Sequence, residues 1–229
     1  MRRFCKCRLA GFLVLLAVVS LGGAGARAQP CCGPITAEGE RLTAFLDASG
    51  VDHLWLAGWH VDCQTGAANR PEPGGPEAKT HCSAFVAAVA ERLGAYILRP
   101  PEHRQSLLAN AQMGWLGRDG ASSGWQPVAG AAAAQQMANA GMLVVAAFQN
   151  PDPHRPGHIA VIRPSLRTAA ELAREGPQET QAGSTNALST TIATGFRRHR
   201  GAWQPDGAGA IRYYAHAVLW NRMGNPGQR

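Results

Sequence analysis

Three residues of this chain have the types and settings to carry out covalent chemistry together. Cys82 lies in the run Thr80-His81-Cys82-Ser83-Ala84-Phe85-Val86, and apolar residues at 85, 86, 89, 90 and 93 continue it with helical spacing to a C-cap at Gly94. A cysteine in the first turn of such a helix meets unpaired backbone N–H groups and the positive end of the helix dipole. Both favour the thiolate, which is the nucleophilic form. A thiol nucleophile works with a base. His158 opens the apolar run His158-Ile159-Ala160-Val161-Ile162 directly after Gly157, a strand start where an imidazole can face a cleft. The base in turn needs a polar group on its other ring nitrogen. Gln181 stands near the end of a further candidate strand, 178–183. Antiparallel pairing with 158–162 would set the end of one strand beside the start of the other. The chemistry expected of such a set is covalent catalysis: attack by Cys82, proton transfer by His158 and orientation by Gln181. Asn186 is the alternative orienter.

The elements that must position these residues can be read along the chain. A short helix is expected over 38–48, followed by a turn at Ser49-Gly50. Residues 64–79 are rich in glycine, proline and polar types and read as a loop. Helices are expected at 102–115 and 131–140, with a loop over 117–130 between them. The compact apolar run 142–148 reads as a buried strand, and 211–218 as a last strand. Helices come first and strands later, so the fold class is α+β with an antiparallel sheet. No internal repeat or linker divides the chain.

Several other side chains have a chemical and a structural reading. His81 fits a surface or supporting position better than that of the base, because neighbouring side chains on a helix diverge. His60 and Cys63, with His53 nearby, have ligand-like spacing but lack a fourth partner, so no metal or cofactor is expected. Trp55, Trp59, Trp115 and Trp125 could floor a groove for saccharide or peptide, although tryptophans more commonly lie partly in a core. Asn110 and Gln112 end a helix and suit capping or solvent contact.

The chain has 229 residues, 45% hydrophobic and 16% charged, a globular composition. Its formal charge of +7 is concentrated at the start. Arg2, Arg3, Lys6 and Arg8 precede an apolar run from Leu9 to Leu21, and small residues then lead to Ala26-Arg27-Ala28. This is the pattern of a secretory signal peptide cleaved after Ala28, with an apolar run too short to span a bilayer comfortably. The expected organisation is therefore a signal peptide over 1–28 and one domain over 29–229, secreted or periplasmic, with no stable membrane insertion. Of the 22 basic residues, five leave with the signal, so 17 face 15 acidic ones in the mature chain, a net +2. Only Arg197, Arg198 and Arg200 cluster, and they read as a solvated surface rather than a nucleic-acid footprint. Export permits disulfides. Adjacent Cys31 and Cys32 are poorly placed to bond each other, so one of them is expected to bridge Cys63.

The run Thr80-His81-Cys82-Ser83-Ala84-Phe85-Val86, leading into a helix that ends Leu93-Gly94, resembles the nucleophile helix of NlpC-type cell-wall cysteine peptidases. These are relatives of the CHAP amidohydrolases and, more distantly, of papain. The succession of helix 131–140, strand 142–148, a short turn and Gly157-His158-Ile159-Ala160-Val161-Ile162 is similar to the same group's approach to its histidine. Gln181-Ala182-Gly183-Ser184-Thr185 resembles its third strand, where a polar residue orients that histidine. The resemblance covers roughly residues 80–186. It departs from the group in having His81 where an aspartate is usual, in a longer insertion over 100–126, and in lacking a match to the upstream tyrosine that helps the oxyanion hole. The resemblance implies a papain-like fold, with a nucleophile helix packed on an antiparallel sheet. It also implies hydrolysis of amide bonds in peptidoglycan stem peptides or a related peptide substrate, with Cys82, His158 and Gln181 in the roles above and no cofactor. Three rival readings remain: an inactive cell-wall binding module on the same fold, a transglutaminase-type acyltransferase, and a structural domain stapled by two disulfides with no free thiol.

Overall fold

The computed structural model describes residues 29–75, 79–205 and 209–222. The signal segment read at 1–28 lies outside the described residues. The architecture is α+β. A six-stranded sheet runs in the order β3 (Trp125–Val128), β8 (Arg212–His216), β4 (Leu143–Phe148), β5 (His158–Ile162), β6 (Gln178–Gln181), β7 (Ala187–Thr191), and every pairing in it is antiparallel. A separate two-stranded ribbon pairs β1 (Trp59–Val61) with β2 (Ala68–Pro71). Among the described residues no helix is long and apolar enough to cross a membrane.

Strand β4 is central and wholly buried, and its alternation divides the core in two. Leu143, Val145 and Ala147 face a cluster built on α2 (Cys82–Arg92), joined by Ile159 and Val161 of β5 and by Leu42 and Leu46 of α1 (Ala37–Asp47). Val144, Ala146 and Phe148 face a second cluster with Ala134 and Ala138 of α4 (Ala131–Asn139), Ile192 of α6 (Ile192–Gly195), and Phe196. Helix α2 is more deeply enclosed than a one-faced helix, since every residue from Cys82 to Ala90 is buried. Its alanines let neighbouring elements approach closely, and Phe85 and Val86 fill the remaining space. Each large apolar side chain buried this way contributes about 1.5–3 kcal/mol.

The remaining helices are α3 (Leu108–Arg118) and α5 (Ala169–Glu175), the latter started by a capping box between Thr168 and Glu171. Helix α3 begins six residues later than the sequence pattern indicates. Strand β3 and strand β2 of the ribbon occupy stretches read as loops. Pro127 and Pro71 disguise them, and a proline is tolerated there because β3 is an edge strand and β1–β2 is only a two-stranded ribbon. Strand β7, with its polar Ser189-Thr190-Thr191, is the opposite edge.

The expected disulfide to Cys63 does not form. Cys31 and Cys32 lie at bonding distance of each other, S–S 2.10 Å, and Cys63 is a free thiol. The N-terminal segment docks beside the start of α5. Cys31 N–H donates to Arg167 O, and Pro30 bridges Thr168. Asn139, at the end of α4, completes this anchor: its Nδ2 donates to the carbonyls of Cys32, Gly33 and Ser165 at 3.1–3.3 Å, and its Oδ1 accepts from Ser165 N–H and Gln135. Asn139 is almost completely buried. Replacing it with alanine strands several buried backbone groups, so a loss of about 2–3 kcal/mol is expected in urea or thermal unfolding. A loss below about 0.5 kcal/mol would show the anchor to be dispensable.

Candidate active site

The helix start and two adjacent strands bring the sequence-derived residues to one end of the sheet. His158 is the first residue of β5 and Gln181 the last of β6, and His158 Nε2 stands 2.7 Å from Gln181 Oε1. The orientation of the glutamine amide is set independently, because Gln181 Nε2 donates to Thr185 O at 3.0 Å. Its oxygen therefore faces the ring, His158 carries its proton on Nε2, and Nδ1 is left as the basic nitrogen. Asn186 has other work. Its Nδ2 donates to the carbonyls of Val51 and Leu54 and its Oδ1 accepts from Gly183 N–H, so it ties the loop after β6 to the α1 region and does not orient the ring.

Cys82 begins α2, 6% exposed. The backbone N–H groups of Ile159, Ser83 and Cys82 itself favour the thiolate, but burial outweighs them and pushes the thiol above its ordinary value. His158 is displaced in the opposite sense, down to about 3, first by burial and then by the charge of His199, with the Gln181 hydrogen bond opposing both. The resting site is thus a neutral thiol beside a neutral imidazole. Among the described residues no hydrogen bond joins the Cys82 thiol to His158. The two meet through the Ile159 N–H, the backbone group next to the histidine.

Two cavities flank this junction. One, of about 330 Å³, is lined by His158, Gln181, His199, Arg155, Arg198 and Asn150, among others. The other, of about 550 Å³, holds Cys82 and Ser83 with Gln105, Arg104, Lys79 and Glu72. They share Thr80, Pro156 and Gly157 as a common wall. Thr80 is the one shared residue with a side-chain donor.

Supporting residues explain why the site lies here. His81 is fully buried, not at the surface. Its Nε2 donates to Trp59 O at 2.8 Å while Nδ1 accepts from Gln105 Nε2 at 2.7 Å, which satisfies one neutral tautomer. Burial holds it below its ordinary basicity. Asn110 and Gln112 are buried as well, contrary to their solvent reading. Gln112 Nε2 donates to Ser83 O and Leu98 O, pinning the first turn of α2. Asn110 donates to Arg155 O at 2.9 Å and accepts from Asn150 N–H at 3.0 Å, so it shapes the turn that enters Gly157-His158. Trp55 and Trp125 are core residues whose indole N–H groups donate to Cys63 O and Tyr96 O, which removes them from any groove floor. His60 is engaged by Glu72 at 2.6 Å and Lys79 at 2.9 Å.

One neighbour had no signal in the sequence. His199 stacks on His158, centroids 5.1 Å apart and planes 12° from parallel, while Phe196 packs against the same ring at 4.6 Å. It lies among Arg197, Arg198 and Arg200, where it reads as part of a charged surface. Proton acceptance by His158 is lost only as pH falls through its depressed value. The acid limb of Cys82 reactivity is therefore expected near pH 3, against the ordinary 6.5. His199→Ala removes a depressing charge and part of the cover, and should move the limb upward. Alkylation rates measured against pH for both proteins test this, and a wild-type limb near 6.5 would contradict the burial argument. No family model matches the chain, and no curated protein is significantly similar to it.

Proposed function

We propose that this chain is a secreted, single-domain, papain-like cysteine peptidase or amidase that hydrolyses amide bonds, with peptidoglycan stem peptides as the substrate class. The observation that carries the reading is the oriented His158–Gln181 pair at 2.7 Å, with the adjoining Ile159 N–H meeting the thiol of a cysteine that starts a helix. In this mechanism His158 Nδ1 takes the Cys82 proton as the sulfur attacks the amide carbonyl. The Cys82 backbone N–H stabilises the oxyanion, and His158 returns the proton to the leaving amine. Water then attacks the acyl-enzyme with the same histidine as base, releasing the acid and restoring the thiol.

On this reading the substrate divides between the two cavities. The acyl portion is joined to Cys82 and belongs in its cavity. The leaving amine must meet His158 and belongs in the other. That second cavity carries Arg155, Arg198 and His199 and, among the described residues, no acidic side chain. It suits a leaving portion that bears a carboxylate.

The missing thiol–imidazole hydrogen bond is the one observation that favours an inactive binding module. Such bonds are commonly long in unliganded sites and tighten on binding. The two readings separate in one experiment: digestion of peptidoglycan fragments by the mature protein, scored for new amines and carboxylates, with Cys82 alkylation measured in wild type and His158→Ala. New termini and a labelling rate at least about tenfold lower in the variant are expected. Binding without new termini, and labelling indifferent to His158, would establish the binding module. The two free thiols, Cys63 and Cys82, speak against the doubly stapled structural domain.

A further inference from the structure

Two residues before Gln181, and on the same face of β6, lies Glu179. It is completely buried, and neither carboxyl oxygen has a hydrogen-bond partner among the described residues. A buried orphan carboxyl is costly, and folded proteins seldom keep one without a use. Burial raises its pKa well above the usual carboxylate range, which favours the protonated form. A protonated carboxyl is a donor as well as an acceptor.

Its surroundings indicate where that donor is aimed. The backbone of Gly195, at the end of α6, lies over both side chains: a methyl group there would strike Glu179 Oε1 and lie 2.7 Å from Gln181 Oε1. The two oxygens thus share one small space closed by a glycine. Gln181 Oε1 accepts one hydrogen bond, from His158 Nε2, and a carbonyl oxygen has two lone pairs. An ionised Glu179 would set two acceptors against each other in that space. A protonated one completes the set. Among the described residues, Tyr213 of β8 also carries a hydroxyl without a hydrogen-bond partner; burial weakens its acidity, and a charge on Glu179 would weaken it further.

We propose that Glu179 is a positioning residue of this site, its carboxyl O–H donating to Gln181 Oε1 and holding the amide turned toward His158. A chain of contacts then runs from Glu179 through Gln181 to the Nε2–H of His158, and leaves Nδ1 as the base for Cys82. The proposal rests on the reading of Cys82 and His158 as a reactive pair.

The test compares wild type, Glu179→Gln and Glu179→Met, with His158→Ala as reference. Iodoacetamide labelling of Cys82 is followed at neutral pH, and the His158 Nε2 proton by nitrogen-15 NMR. Glutamine keeps a donor for Gln181, so Glu179→Gln should label within about twofold of wild type. Methionine keeps the volume and removes the donor, so Glu179→Met should label about tenfold more slowly and shift or lose the Nε2 proton signal, while melting at the same or a higher temperature because an orphan polar group is gone. Wild-type labelling and an unmoved Nε2 signal in Glu179→Met would overturn the proposal. Labelling indifferent to His158→Ala would instead overturn the reactive pair, and the Nε2 signal would still report on Glu179. Infrared spectroscopy of the wild type gives a check that needs no folded methionine variant. A protonated-carboxyl C=O band at neutral pH, absent in Glu179→Gln, is expected, and an ionised Glu179 would also overturn the proposal.

Discussion

Replacing Cys82 with alanine is expected to abolish turnover, by a factor on the order of 10⁴ or more, while the protein stays folded. In the proposed mechanism the sulfur is the atom that forms the acyl bond, and among the described residues no other thiol lines the two cavities. The stability cost is small by comparison. One buried sulfur is removed from a helix start, worth about 1 kcal/mol, and α2 remains held by Phe85, Val86, Val89 and the Gln112 bond to Ser83 O. Cys63 provides an internal control. It is also free, only half-buried, and its thiol is pushed up by burial and by the neighbouring Asp62 charge. Mass spectrometry of labelled peptides should show Cys63 labelled as before in Cys82→Ala, with hydrolysis of peptidoglycan fragments lost. Retained hydrolysis would sink the assignment of Cys82 as nucleophile.

Gly157→Ala is expected to damage both fold and site. A methyl group at this position would run into the backbone oxygen of Phe148 and into Asn110 Oδ1, neither of which has room to withdraw. Phe148 is paired with His158 in the sheet, and Asn110 is committed to Asn150 and Arg155. The added atom therefore pushes on the strand that carries His158 and on the turn that introduces it. Overpacking of this kind costs about 2–3 kcal/mol. Cys82 labelling should fall along with stability, because the Ile159 N–H that meets the thiol lies two residues on. Gly94→Ala is the comparison: its backbone is left-handed, φ +77°, but the space around it is open, so the cost there is near 1 kcal/mol. Equal or smaller damage at Gly157, measured by urea unfolding, would falsify the close approach.

What was legible in the chain is what local pattern encodes. The helical spacing after Cys82, the apolar strands at 143–148 and 158–162, and the antiparallel neighbours His158 and Gln181 all follow from periodicity and short-range pairing, and the structure places them accordingly. The edge strands were hidden because an edge needs no apolar alternation and tolerates proline, as β3 and β7 show. Burial of polar groups was illegible for a different reason. Asn110, Gln112, Asn139 and His81 look solvent-facing by type, and only long-range partners such as Ser83 O, Arg155 O and Trp59 O make their burial tolerable. The pairing of Cys31 with Cys32 likewise depended on where the N-terminal segment docks.

The ionisation of the site belonged to the tertiary structure alone. A helix start by itself lowers the pKa of a cysteine, yet here burial raises that of Cys82 and depresses His158 to about 3, because Phe196 and His199 close over the imidazole from a segment forty residues away in sequence. Residue type and spacing marked which groups are the candidates to react. Desolvation, a sum over neighbours from every packed element, decided which of them hold protons at rest.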